Sequence, residues 1–133
     1  LSLESDIATA IIRVATEGST PISIAVVDEA GVLLAFCRMD GAPRYSADFA
    51  IAKARTAAAF GTDTSKLEEL YADRPVFAHS FVAQGGYFLG RGGAPVISGG
   101  AVLGAVGVSG SDSHGEEDIA RSAVQMALTQ MGG

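Results

Sequence analysis

The sequence predicts an α+β domain, with helices packed on a largely antiparallel sheet, and three observations carry that expectation. Two pairs of β-prone runs each meet at a glycine turn, Ala30-Gly31 and Gly99-Gly100, as hairpins do. Both ends of the chain have apolar residues at helical spacing. Between the hairpins lies an alanine-rich run with few β-branched residues, which favours helix over strand. The resulting order is helix, two strands, helices, three strands, helix.

Leu3, Ile7, Ala10, Ile11 and Val14 form one stripe of an opening helix, with Ser2 as its N-cap candidate and an end near Gly18. Pro21 blocks further helix, and Ile22–Glu29 and Val32–Asp40 follow as strands. Their near-continuous apolar character places the pair centrally, covered on both faces or met by another subunit. Ser46–Phe60 is the alanine-rich helix, stopped by Gly61. It has no polar face: Phe49, Ala50, Lys53, Ala57 and Phe60 share one side and Ala47, Ile51, Ala54 and Ala58 another. A partner subunit is the expected cover for the second side.

Thr64–Asp73 reads as a short capped helix, Pro75–Ala83 as another turn of helix, and Tyr87–Leu89 as a short strand after Gly85-Gly86. Ala94–Ser98 and Ala101–Ser109 then form the second hairpin. Gly104 and Gly107 inside its second strand predict that another backbone, a helix or a flat ligand lies close against it. A broad stripe of Ile119, Ala120, Ala123, Val124, Ala127, Leu128 and Met131 closes the chain as a helix.

Composition narrows the function classes. The chain has 133 residues, 48% of them hydrophobic, which suits one ordered domain, 1–133. A net charge of −6 and nine scattered basic residues disfavour a nucleic-acid partner. The longest apolar run is too short for a bilayer, so no membrane partner is expected. A single cysteine, Cys37, and no signal-peptide layout make the cytoplasm the default location, although a leader could precede Leu1.

The blocks SIAVVDEAGVLLAFCRMDGAP, AKARTAAAFG and GGAPVISGGAVLGAVGVSG followed by EEDIA, in that order and spacing, resemble the GlcG/HbpS-like family. That family is described as haem-degrading or haem-binding and also supplies the C-terminal domain of PduO-type proteins. The resemblance covers nearly the whole chain from about Ile22. It implies a profilin-like fold with a five-stranded antiparallel sheet that assembles into homodimers or higher homo-oligomers, and it makes haem or iron a candidate cofactor. It carries over no axial ligand.

Several residues are candidates for chemistry. Lys53, which matches the lysine of the family's AKA motif, lies on an apolar helix side, where an ammonium group is costly unless paired. It either lets its head escape to water or to one carboxylate, or holds a ligand carboxylate such as a haem propionate. Desolvation would also suit it to act as a base. The loop RMDGAPR offers Arg38 and Arg44 for an anion and is followed by Tyr45 for stacking, against the plainer reading of an ordinary turn. In SDSHGEED, Ser113 and Glu116 have capping-box spacing, which explains most of that segment. A metal reading would use His114 with Asp112, Glu117 or Asp118.

His79, between Phe77 and Phe81, is a haem-ligand candidate beside His114, Cys37, Tyr45, Tyr71, Tyr87 and the methionines, or else a structural or surface histidine. Gly92 and Gly93 would let main chain approach a ligand; GRGGAP lacks the lysine and following helix of a phosphate loop.

The first functional expectation is an oligomeric small-ligand or haem-binding protein with a pocket between the Ser46–Phe60 helix, the RMDGAPR loop and the Gly90–Pro95 turn, near a subunit boundary. The alternatives are two. One is an enzyme acting on a small carboxylated or carbonyl metabolite, with Lys53 or Arg38 binding charge and Glu117 or Asp118 moving a proton. The other is a structural or regulatory oligomer.

Overall fold

The computed structural model describes residues 2–110 and 113–132, with backbone alone at positions 113 and 114. The elements are α1 (Ser5–Ala15), β1 (Ser23–Asp28), β2 (Leu33–Arg38), α2 (Ser46–Phe60), α3 (Thr64–Leu70), α4 (Pro75–Ala83), β3 (Gly93–Ser98), β4 (Ala101–Ser109) and α5 (Ser113–Gln130). The strands form one antiparallel sheet in the order β2-β1-β4-β3.

Both hairpins form where the glycine turns predicted them. Gly99 and Gly100 each have positive φ, 58° and 80°, as a two-residue turn between twisted strands requires. The first turn is fixed by Asp28, whose Oδ1 accepts hydrogen bonds from the Ala30 and Val32 amides, each at 2.9 Å. β1 is the central, apolar strand, buried along almost its whole length. β2 is an edge strand, so only half of the first hairpin is central; Leu33 and Phe36 are exposed on it.

The sheet lies between two helical layers. On one face α1 and α5 pack over Ile22, Ile24, Val26, Val96, Val106 and Val108. On the other, α2 lies over Ala25, Val27 and Ala105 through Ala50, Ala54 and Ala57. Gly107 explains how close that layer comes: a Cβ there would overlap the Ala50 carbonyl oxygen and crowd the Ala54 nitrogen. The close neighbour predicted from the strand glycines is therefore the backbone of α2 at Gly107, and at Gly104 the Val27 carbonyl of β1 with the Leu3 side chain.

Two expectations are corrected. Among the described residues the sheet has four strands, not five: Tyr87–Leu89 forms no strand. Its Phe88 amide donates instead to Thr56 Oγ1 on α2 at 2.9 Å, and the Phe88 ring packs on Phe49, so helix contacts take the groups that an edge strand would have offered to β3. At the other end, α1 begins at Ser5 with Glu4 at the N-cap position, rather than being capped by Ser2, and Glu4 makes no side-chain cap bond. No helix of the described residues is long and apolar enough to cross a membrane.

Candidate functional site

The helix α2 presents two basic residues to two different environments. Lys53 points towards the sheet and is only 4% exposed. Its Nζ donates to Glu116 Oε1 at 3.0 Å and to the Val108 carbonyl at 3.2 Å, and it lies 5.4 Å from the centroid of the Phe88 ring. Glu116, 3% exposed, accepts from the Gly110 amide through Oε2 at 2.6 Å. The pair thus joins α2, the end of β4 and the first turn of α5, with both charges paired and hydrogen-bonded as burial demands. Beside it lies a cavity of about 360 Å³ whose walls include Lys53, Phe88, Gly90, Arg91 and Glu116.

Glu116 is the partner that sequence reasoning missed. The capping-box spacing gave it a local task, yet its carboxylate serves the Gly110 amide and Lys53. Glu117, one residue on, turns about 100° around the helix and meets other groups. Its Oε1 accepts from Ser65 Oγ and from Arg121 Nη2 at 3.0 Å, and its Oε2 lies 3.4 Å from Arg91 Nη1. Arg121 also donates to Asp63 at 3.1 Å. That bond first, then the charges of Glu117 and Asp63, raise the arginine's pKa above its usual value. Asp118 is exposed and borders a separate cleft at the end of α1. Neither Glu117 nor Asp118 converges with Lys53.

The other predicted positions disperse. Arg38 donates through Nη2 to the Ala42 carbonyl at 2.8 Å, making a local turn bond. Arg44 is exposed, and Tyr45, 56% exposed, reaches only the Phe49 ring, 5.2 Å away between centroids. His79 is exposed on α4. Gly92, at φ 120°, and Gly93 do permit a close approach, but of α2: a Cβ on Gly93 would crowd the Lys53 carbonyl, and one on Gly92 the Val108 oxygen and Lys53 side chain. Asp112 and the His114 side chain lie outside the described residues. Among those described, no cluster of three or more His, Cys, Asp or Glu side chains could hold a metal ion.

The outward side of α2 carries the second environment. A groove of about 610 Å³ runs between α2 and the segment that follows α4, lined by Phe49, Ile51, Ala52, Val82, Tyr87 and Phe88, with Arg55 and Asp48 as its charged residues. Its volume falls in the range of about 300–1,000 Å³ common for ligand pockets. Arg55 is half-buried, with Cζ 5.3 Å from the centroid of the Tyr87 ring, and among the described residues it has neither a hydrogen-bond acceptor nor an ion-pair partner. Tyr87 in turn stacks on Phe81 at 4.4 Å. The sequence held one usable signal for Arg55: two residues from Lys53, it must face another way, because positions i and i+2 of a helix do not share a side.

Comparisons with known proteins agree with this architecture. Protein GlcG of Escherichia coli is 37% identical over 111 residues, covering 80% of this chain and 81% of that protein. A double mutant of HbpS from Streptomyces reticuli superposes with a TM-score of 0.86 at 33% identity, covering 95% of this chain and 87% of the other. A crystal structure of a PduOC:haem complex matches with a TM-score of 0.84 at 26% identity and 94% coverage of both chains. The family model "Haem degrading protein HbpS-like" matches residues 2–125, and the chain belongs to that family.

Proposed function

We propose that this protein binds a flat, carboxylate-bearing ligand of the haem type in the groove on the outer side of α2. The observation that carries this reading is Arg55: a half-buried guanidinium with no acceptor of its own among the described residues, set among aromatic and aliphatic walls. Such walls suit the faces of a macrocycle, and a guanidinium pairs with a carboxylate through two parallel hydrogen bonds. The family match and the haem complex of the PduOC relative support haem as the occupant. This moves the ligand-holding cation from Lys53, whose charge Glu116 already neutralises, to Arg55. When bound, haem would supply iron redox or ligand-binding chemistry, and Asp48 and Tyr87 are the groove residues with iron-donor atoms.

Titrating the purified protein with ferric haem tests the reading. A saturable shift of the Soret band is expected, and Arg55→Gln should weaken binding roughly ten- to a hundredfold, the size of a lost hydrogen bond to a charged group. Haem dimethyl ester, which lacks free carboxylates, should bind both proteins alike. An unshifted Soret band, or equal haem affinity in the Arg55 variant, overturns the proposal.

Self-association belongs to the same proposal, since exposed Val32, Leu33 and Phe36 leave apolar surface along the first hairpin that a second copy would cover. A mass of one chain by light scattering would refute it. The enzymatic alternative keeps one observation in its favour, the polar cavity that reaches Lys53. There Glu116 and Glu68, rather than Glu117 or Asp118, are the carboxylates that line the cavity.

A further inference from the structure

The geometry points to Tyr87 as the residue that ligates the iron of ferric haem in this groove, an inference that rests on the groove being a haem site. Of the iron-competent side chains considered from the sequence and lying among the described residues, Tyr87 is the one that lines the groove; His79, Cys37, Tyr45 and Tyr71 do not, and the His114 side chain lies outside the described residues. Its phenolic oxygen has no hydrogen-bond partner among the described residues and is open to solvent, so a ligand in the groove can reach it. Its ring is held on two sides, stacked on Phe81 at 4.4 Å between centroids and covered by the Arg55 guanidinium at 5.3 Å. The phenol is therefore polar, partnerless and fixed in orientation, as a pre-organised donor should be.

Ligation replaces the phenolic O–H bond with an O–Fe bond, and the proton passes to solvent. The negative charge left on the oxygen enters a mostly apolar groove, where Arg55 lies close enough to compensate it. Arg55 thus has two tasks in one place: it meets a propionate and balances the donor. Asp48 is the other possible oxygen donor, but it sits two helical turns away from Arg55 on an exposed position and lacks that compensation. A hard anionic oxygen also prefers the ferric over the ferrous ion, so retention of haem should depend on oxidation state.

The test uses the whole chain loaded with ferric haem, in the wild type and in the variants Tyr87→Phe, Asp48→Asn and His79→Ala, read by resonance Raman and electron paramagnetic resonance. Wild type should show phenolate-to-iron vibrations and a high-spin ferric signal. Tyr87→Phe should lose both and bind at least about tenfold more weakly, while its thermal midpoint without haem stays at the wild-type value because the stack on Phe81 survives. Asp48→Asn and His79→Ala should leave the spectra unchanged, and dithionite should lower the wild-type affinity but not that of Tyr87→Phe. If Tyr87→Phe keeps the wild-type spectrum, or either control variant abolishes it, Tyr87 is not the donor even though haem binds. If the wild type itself shows no specific haem spectrum, the groove reading falls first and this inference falls with it.

Discussion

Lys53 and Arg55 differ by two positions on one helix, or about 200° around its axis, and that angle separates a structural charge from an available one. Lys53 is carried into the space between α2, β4 and α5, where an unpaired ammonium could not remain, so the fold supplies Glu116 and a carbonyl. Arg55 is carried to the rim of a groove, where water can solvate it in the absence of a ligand, and among the described residues no carboxylate pairs with it. Burial obliges a charge to be satisfied from within. Partial exposure leaves it for a ligand to satisfy.

The strongest way to break this contrast is to remove one half of the buried pair. Glu116→Ala should lower the unfolding free energy by about 3–5 kcal/mol, because it strands the Lys53 charge in the interior and also orphans the Gly110 amide. Urea unfolding measures this directly. Lys53→Met with Glu116→Leu should recover most of the loss, since a well-packed apolar pair can replace a buried ionic one. A single-variant cost below about 1 kcal/mol would mean that Lys53 finds solvent, and the distinction between the two residues would vanish.

A smaller perturbation moves both residues at once. Gly107→Ala places a methyl group against the Ala50 carbonyl, so α2 must lift from the sheet. Overpacking of this kind costs about 1–3 kcal/mol. Because α2 is one wall of the groove and the base of the ion pair, the same variant should also weaken ligand binding, whereas Glu116→Ala should weaken it only through stability. Comparing the two at matched thermal stability separates helix placement from charge.

Much of this architecture is legible in the chain, and the failures have local causes. The two hairpins, the alanine-rich helix and the strand glycines could be read because each rests on backbone geometry that a few adjacent residues dictate. Tyr87–Leu89 could not, because its β-prone side chains say nothing about Thr56, whose hydroxyl takes the Phe88 amide. Lys53 was recognisable as a charge in an apolar setting, but its partner depends on where the first turn of α5 lands relative to α2. A shift of one residue, from Glu117 to Glu116, changes the identity of the site. Arg55 escaped notice because its significance is an absence, and a missing acceptor is visible only once the surrounding surface exists.

The least costly prediction sharpens the contrast by asking how a solvated clasp behaves. Arg121 bridges Asp63 and Glu117 at 3.1 and 3.0 Å, but its side chain is 51% exposed, so Arg121→Ala should lower stability by no more than about 1 kcal/mol. An arginine does not lose its proton in a protein, so its contribution should respond to salt rather than to its own titration. At about 1 M sodium chloride the Debye length falls to about 3 Å, and the Arg121 effect should disappear in parallel melts of variant and wild type. The Glu116→Ala loss should persist under the same conditions, because a buried pair is screened far less than an exposed one. If both losses faded together with salt, the Lys53 site would be open to solvent, and its charge would be as available to a ligand as that of Arg55.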